Sequence, residues 1–276
     1  MIQDIFPSKL YNAFSNRSPS QDSFIISFCN DRIHAHYDDK DEKIIFPTLS
    51  DMTKQTEYVY LFSIDNNSFF LAMNCDEPKL SGFEAYSMRE LRALKVNSNI
   101  ELLVAYTSYH LWKWYSSSRF CGVCGSGTVH DTNERAMRCT KCGNVIYPRI
   151  NPAVIVGVIN GDKILITKYR SGYAHNALVA GFTEIGETLE QTVMREVMEE
   201  TGVKVKNIRY YKSQPWGMAS DLLVGFYCDV DGDDTIHMDS SELKYAEWVK
   251  REDVVLQPSD LSLTNEMMKM FMDGMI

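Results

Sequence analysis

The sequence lacks any long uncharged apolar run, so no membrane-spanning helix is expected. Met1 to Leu10 lacks the basic region and apolar stretch of a secretory signal. Internal repeats and low-complexity segments are missing too, so no repeat architecture is expected. Positive charge is scarce: 28 Lys and Arg stand against 37 Asp and Glu, a net charge of −9. Phosphate-backbone binding relies on clustered Lys and Arg, so DNA is not an expected partner. An excess of carboxylates suits a site for divalent cations instead. A disulfide framework is also missing. The seven cysteines are odd in number, with four in one cluster and Cys29, Cys75 and Cys228 scattered. That usage fits the reducing cytoplasm and a bound metal.

What is present reads as three textures in an α+β chain. Residues 1–115 form an N-terminal mixed α/β domain. Tyr58 to Ile64 and Ser68 to Met73 read as a hairpin turned at Asp65-Asn66-Asn67. Ser87 with Glu90 three residues on marks a helix start, and Asn99 to Tyr115 reads as a second helix. Residues 116–147 hold the cysteine cluster. Residues 148–276 alternate strands and helices. Ala153 to Ile159 and Lys163 to Thr167 are joined at Asn160-Gly161-Asp162; strands follow near Val203 to Ser213, Leu222 to Val230 and Ala246 to Lys250; Asn265 to Met272 is helical.

The cluster reads Cys121-Gly-Val-Cys124 and Cys139-Thr-Lys-Cys142, each half followed by glycine. Two C-x-x-C knuckles bring four thiolates to the corners of a tetrahedron, the pattern of a zinc ribbon. A redox C-x-x-C pair would not need a second copy. Four thiolates leave no open position, so one structural zinc per chain is expected, without a catalytic role.

The decisive stretch runs from Gly181 through Glu187 to Arg195-Glu196-Val-Met-Glu199-Glu200-Thr-Gly202. Thr188 to Thr201 should be a helix capped by Gly202. Leu189, Val193 and Val197 recur at i, i+4 and i+8 as a core stripe. Glu196, Glu199 and Glu200 fall at i, i+3 and i+4 on a different face, where like charges repel unless a cation lies between them. Carboxylate oxygens suit Mg²⁺ or Mn²⁺. Glu187 can reach back to the helix, and Arg195 should pair with one carboxylate and orient it. Three glutamates alone would be an ordinary solvated face. The glycines, Glu187 and Arg195 at their offsets make a chance match on the order of one in a million.

This stretch resembles the Nudix signature G-x5-E-x7-R-E-U-x-E-E-x-G-U at every fixed position. The whole chain resembles the NADH pyrophosphatase branch of that superfamily, in which an N-terminal domain precedes a four-cysteine ribbon and then the Nudix domain. Tyr147-Pro-Arg-Ile-Asn-Pro-Ala-Val and Ala180-Gly181-Phe182 are similar to its linker and A-G-F segments. The resemblance implies a Nudix α/β/α sandwich that hydrolyses the pyrophosphate bond of NADH or NAD to AMP and nicotinamide mononucleotide. An NAD cap on RNA contains the same bond. It implies metal ligation by Glu196, Glu199, Glu200, Glu242 and the Ala180 carbonyl, with Glu199 or Glu200 positioning or deprotonating the attacking water. Glu187 and Arg195 complete the catalytic set. It implies substrate contacts from Phe182, Gln214, Trp216, Tyr147, Glu134 and Arg89, and a homodimer in which Trp216 reaches the partner's site. One departure stands out: after Ser213-Gln214-Pro215-Trp216 this chain has Gly217-Met218-Ala219 where the family has P-F-P. ADP-ribose, FAD or a dinucleoside polyphosphate is the alternative substrate. A silent Nudix fold acting as a nucleotide sensor is the alternative of another class, and the intact glutamates argue against it.

Overall fold

The computed structural model of the chain describes residues 1–52, 56–73, 80–171 and 175–276, which leaves Cys75 outside the described residues. The chain divides into two compact units. One comprises residues 2–149 with 217–220, the other residues 150–216 and 221–276 with Met1.

In the first unit, short strands β1 (Leu10–Tyr11), β2 (Phe24–Ile26), β3 (Phe28–Cys29), β4 (Arg32–Asp38), β5 (Lys43–Ile45), β6 (Tyr58–Ile64), β7 (Asn67–Ala72) and β8 (Glu84–Tyr86) build two sheets. Their orders are β1-β6-β7-β2 and β3-β4-β5, with β8 also on β4. The β6–β7 hairpin appears where its apolar runs predict it, with Asp65 at φ 50° in the turn. Helix α1 (Met88–Ala93) starts on Ser87, whose hydroxyl accepts from the Glu90 amide in the expected capping box. Helix α2 (Ile100–Ser117) buries Leu102, Leu103, Tyr106, Leu111 and Trp114. The cysteine segment follows in the same unit as a three-stranded sheet of β9 (Thr128–His130), β10 (Met137–Cys139) and β11 (Val145–Ile146), ordered β11-β10-β9.

The second unit is built on β12 (Asn151–Asn160). It pairs in parallel with β16 (Asp221–Val230) along one edge. Its other edge is divided: β14 (Val179–Phe182) takes Ala153 to Val156, and β13 (Lys163–Tyr169) takes Ile159 and Asn160. Strands β15 (Val205–Trp216) and β17 (Leu243–Lys250) close the ends, giving the order β15-β16-β12-β13-β17. The two-residue period of β12 then sorts the core. Val154, Val156 and Val158 face helix α3 (Leu189–Thr201) through Val193 and Val197. Ile155 faces the opposite helix α4 (Leu263–Met272) through Leu263, Met267 and Phe271. This is the α/β/α sandwich that the sequence implied. Among the described residues no helix is long and apolar enough to cross a membrane.

One boundary differs from expectation in a way that matters. The strand expected to end near Ser213 runs on through Gln214 and Pro215 to Trp216, which pair with Leu223, Leu222 and Asp221 of β16. Trp216 is therefore the last residue of a strand, before a turn over Gly217 to Ser220. Long-range pairing supplies backbone partners that local polarity does not reveal.

Candidate active site

Helix α3 begins where its sequence dictates. The Thr188 hydroxyl accepts from the Gln191 amide, and Gln191 answers the Thr188 amide. It ends on Gly202 in the left-handed conformation at φ 72°. Burial of Val193 and Val197 sets its rotation and so decides where the glutamates point. Strand β14 runs beside it, and Gly181 lies so close that a Cβ there would overlap the Glu196 carboxyl group. The glycine of the motif is needed for that approach.

Arg195 does more than pair with one carboxylate. Its Nε and Nη2 hold Glu187 at 2.6 and 2.9 Å. Its Nη1 donates to Glu196 at 2.7 Å and to Glu199 at 2.9 Å, and Nη2 also reaches the Phe182 carbonyl at 2.9 Å. Glu187 further accepts from the Thr192 hydroxyl and the Glu184 amide. The hydrogen bonds from Arg195 hold its carboxyl down at about 2. The guanidinium thus clamps the loop before α3 onto the helix and fixes two glutamates.

Glu200 points elsewhere. Its residue is 2% exposed, whereas the Glu199 side chain is 60% exposed. The Tyr169 hydroxyl lies 3.0 Å from its Oε1, and the same hydroxyl is 3.3 Å from the Ala180 carbonyl. Burial pushes Glu200 up to about 8, with the fields of Glu196 and Glu242 adding to it and the Tyr169 hydrogen bond opposing it. Burial also raises Glu196, against the pull of Arg195. Tyr169, raised by burial and then by Glu200, stays protonated and acts as a donor. Glu242 is exposed, and its carbonyl accepts from the Arg170 amide at 2.9 Å.

The glutamates do not stand at mutual ligand spacing. Among the described residues the group of His, Cys, Asp or Glu already drawn together in that way is the cysteine quartet. Even so, the donor set fits a divalent ion: a carboxylate whose side-chain partner is a neutral phenol, raised in pKa by burial and further by neighbouring carboxylates, needs a cation to ionise at low cost. A pKa raised in the fold contributes stability below the unfolded value near 4.5, and that stability is lost as pH rises through about 8. Without added Mg²⁺ or Mn²⁺, the melting temperature should therefore fall between those pH values, and Glu200→Gln should remove that part of the fall. Identical pH–melting profiles for the two proteins would contradict the burial of this carboxyl.

In the ribbon, Cys121 and Cys142 Sγ lie 3.6 Å apart and Cys124 and Cys139 Sγ 3.4 Å apart, with all four within 4.8 Å of one another. A tetrahedron with zinc–sulfur bonds of about 2.3 Å has edges of about 3.8 Å. Backbone amides of Cys142 and Lys141 point at Cys139 Sγ and lower its thiol to about 6. The quartet fits a structural zinc ion. The ribbon is tied to its own unit by Arg135, which donates to the Asn12 side chain at 2.7 Å and to the Leu61 carbonyl, and by Thr128, which donates to the Ser118 carbonyl.

Of the remaining sequence-chosen residues, Phe182, Gln214 and Trp216 belong to the second unit and Arg89, Glu134 and Tyr147 to the first. Phe182 is 53% exposed at the end of β14. Trp216 is half-buried. Gln214 is fully buried; its amide donates to the Leu261 carbonyl and accepts from the Leu263 amide, so it braces the start of α4. In the other unit, exposed Tyr147 donates to Glu134 at 2.9 Å, and Arg89 is exposed on α1. Sequence reasoning passed over Tyr169. The signal was period two: counting from Leu165 puts Thr167 and Tyr169 on the α3 face of β13.

Comparison with known proteins agrees with this geometry. Residues 149–271 match the NUDIX domain, and residues 116–147 match the NADH pyrophosphatase zinc ribbon domain. The NAD-capped RNA hydrolase NudC of Shigella dysenteriae serotype 1 is 42% identical over 159 residues, 56% of this chain and 61% of that protein. Its counterpart from Enterobacter sp. strain 638 is 43% identical over 151 residues, 54% of this chain and 57% of the relative. The chain thus spans about three fifths of the length of the curated relatives it matches. A NUDIX hydrolase from Nitrosomonas europaea superposes with a TM-score of 0.50 at 22% identity, covering 56% of this chain and 90% of that one, a likeness of fold. With the carboxylate helix, its arginine clamp and the four-cysteine ribbon in place, the chain carries a Nudix domain over residues 149–271 and, before it, an NADH pyrophosphatase zinc ribbon domain over residues 116–147.

Proposed function

We propose that the protein hydrolyses the pyrophosphate bond of NADH or NAD to AMP and nicotinamide mononucleotide, and the same bond in an NAD cap on RNA. The observation that carries this reading is the buried Glu200 beside Glu196, on a helix clamped through Arg195 and Glu187. A bound Mg²⁺ or Mn²⁺ supplies charge neutralisation at the phosphates and a more acidic water. The chain's own groups do the rest. Glu196, Glu199, Glu200, Glu242 and the Ala180 carbonyl are the oxygen donors. Water adds to one phosphorus, the bridging P–O bond breaks, and the bridging oxygen leaves with the other phosphate. Glu199 or Glu200 takes the proton of that water. Phe182 offers an exposed ring for stacking, with Trp216, Tyr147, Glu134 and Arg89 as further substrate contacts. Gln214 contributes by bracing α4.

The names of the NudC relatives support the substrate, and the joint presence of ribbon and Nudix domain supports the branch. A working division of residues 1–115, 116–147 and 148–276, a homodimer sharing its sites through Trp216, and a cytoplasmic setting belong to the same reading. Its test is product analysis with NADH, NAD, ADP-ribose, FAD and NAD-capped RNA, each with Mg²⁺ and with Mn²⁺. NADH or NAD should give AMP with the highest kcat/KM.

One observation favours the alternative substrates. Gly217 is buried, and a Cβ there would overlap the Tyr106 carbonyl of α2. The proline that the family carries at this place does not fit. A tenfold preference for ADP-ribose or FAD, about 1.4 kcal/mol in the transition state, would assign Gly217 to Ala219 to a changed specificity and overturn the NAD(H) reading.

A further inference from the structure

We propose that Tyr169 is a positioning residue for the divalent-ion site, tying the Glu200 carboxylate to the backbone of Ala180 so that both donors are presented together. The inference rests on the metal-site reading above and goes beyond the signature, which contains no residue of β13. Three elements meet at one oxygen atom: β13 supplies the phenol, β14 supplies Ala180, and the last turn of α3 supplies Glu200. The Ala180 amide donates to the Tyr169 oxygen at 3.1 Å. The hydroxyl has one proton to give. Glu200 Oε1 at 3.0 Å is nearer than Oε2 or the Ala180 carbonyl, both at 3.3 Å. The result is a directional chain from amide to phenol to carboxylate, in which each bond polarises the next.

The division of labour within the site gives this chain its meaning. Glu196 and Glu199 are oriented by the cationic Arg195. Glu200 is oriented by a neutral donor, which fixes its direction and leaves its negative charge for an incoming cation. Hydrogen-bond partners behind a ligand commonly govern about ten- to a hundredfold in metal affinity. Tyr169→Phe keeps the ring and removes only the hydroxyl.

The experiment is Mn²⁺ binding to the full zinc-loaded chain without substrate, followed by electron paramagnetic resonance, for the wild type, Tyr169→Phe and Glu200→Gln. Tyr169→Phe should weaken the tightest Mn²⁺ site about tenfold or more, with a metal-free melting temperature lowered only by the loss of a buried hydrogen bond. An affinity within about twofold of wild type would overturn the role of Tyr169 while leaving the metal site intact. Equal affinities of wild type and Glu200→Gln would remove the metal site itself, and the proposal with it. If Tyr169→Phe does not fold, amide exchange in the metal-free wild type decides: Ala180 should exchange slowly, and exchange at the rate of a free amide would refute the chain of hydrogen bonds.

Discussion

Glu200→Gln should lower kcat for pyrophosphate hydrolysis by about a thousandfold or more, roughly 4 kcal/mol of transition-state stabilisation. The substitution is nearly isosteric, so the packing of α3 against β12 through Val193 and Val197 is retained. What it removes is a charge held in a buried place, 2% exposed and raised to about 8 by that burial. A carboxylate in such a place is costly to the fold and is retained for what it does when ionised. The same change should therefore leave the metal-free protein as stable as the wild type at pH 5 and more stable at pH 8, because a neutral amide avoids burying the charge. Activity and stability move in opposite directions, which separates a functional carboxylate from a structural one. Steady-state kinetics at saturating Mg²⁺, together with melting at the two pH values, checks both halves. Residual kcat within tenfold of wild type would remove Glu200 from the machinery. Glu199→Gln provides the comparison: if it abolishes turnover while leaving the Mn²⁺ affinity intact, Glu199 is the group that takes the proton.

Cys139→Ser, or stripping of the ribbon metal, should abolish the order of residues 121–142. The segment has little else to hold it. Its buried apolar side chains are Cys121, Ala136, Met137 and Cys139, and two of those are ligands. Zinc bound to four thiolates contributes about 10–16 kcal/mol in small peptides, so for a segment of this size metal binding and folding are the same event. Loss of one ligand should reduce the zinc content from one equivalent per chain to a small fraction. Amide protection should then disappear across β9 and β10, whose pairing of Met137 with His130 depends on the knuckles. Because Arg135 reaches the Leu61 carbonyl and Asn12, the loosening should extend to β6 and the segment near β1 within the same unit. Metal analysis and hydrogen exchange report these effects separately. A Cys139→Ser protein with a full equivalent of zinc and undiminished protection would show that the four sulfurs do not form one site.

The readable parts of this molecule are those whose physics is local. Thr188 and Gln191 start α3 and Gly202 ends it, because capping bonds span three or four residues. The apolar run of Ala153 to Ile159 reads as a strand, and the structure places a helix on each of its faces, as a near-continuous hydrophobic strand requires. Paired C-x-x-C knuckles predict four clustered sulfurs, and the sulfurs are clustered. The short strands β1 to β5 and β8 were not legible. They are two to seven residues long and owe their existence to partners far along the chain, such as β4 to β8 and β1 to β6.

The sequence by itself therefore determined the Nudix domain, the carboxylate helix, the ribbon and the order of the main strands. Only the tertiary structure decided how the site is wired. It spread Arg195 over Glu187, Glu196 and Glu199, where the sequence suggested a single pair. It turned Glu200 inward to Tyr169, away from the exposed Glu199 with which helix spacing had grouped it. It buried Gln214 beneath α4 and closed Gly217 against Tyr106. The reason is physical: spacing along one helix fixes which side chains share a face, but burial and hydrogen-bond partners come from strands that sequence spacing does not connect.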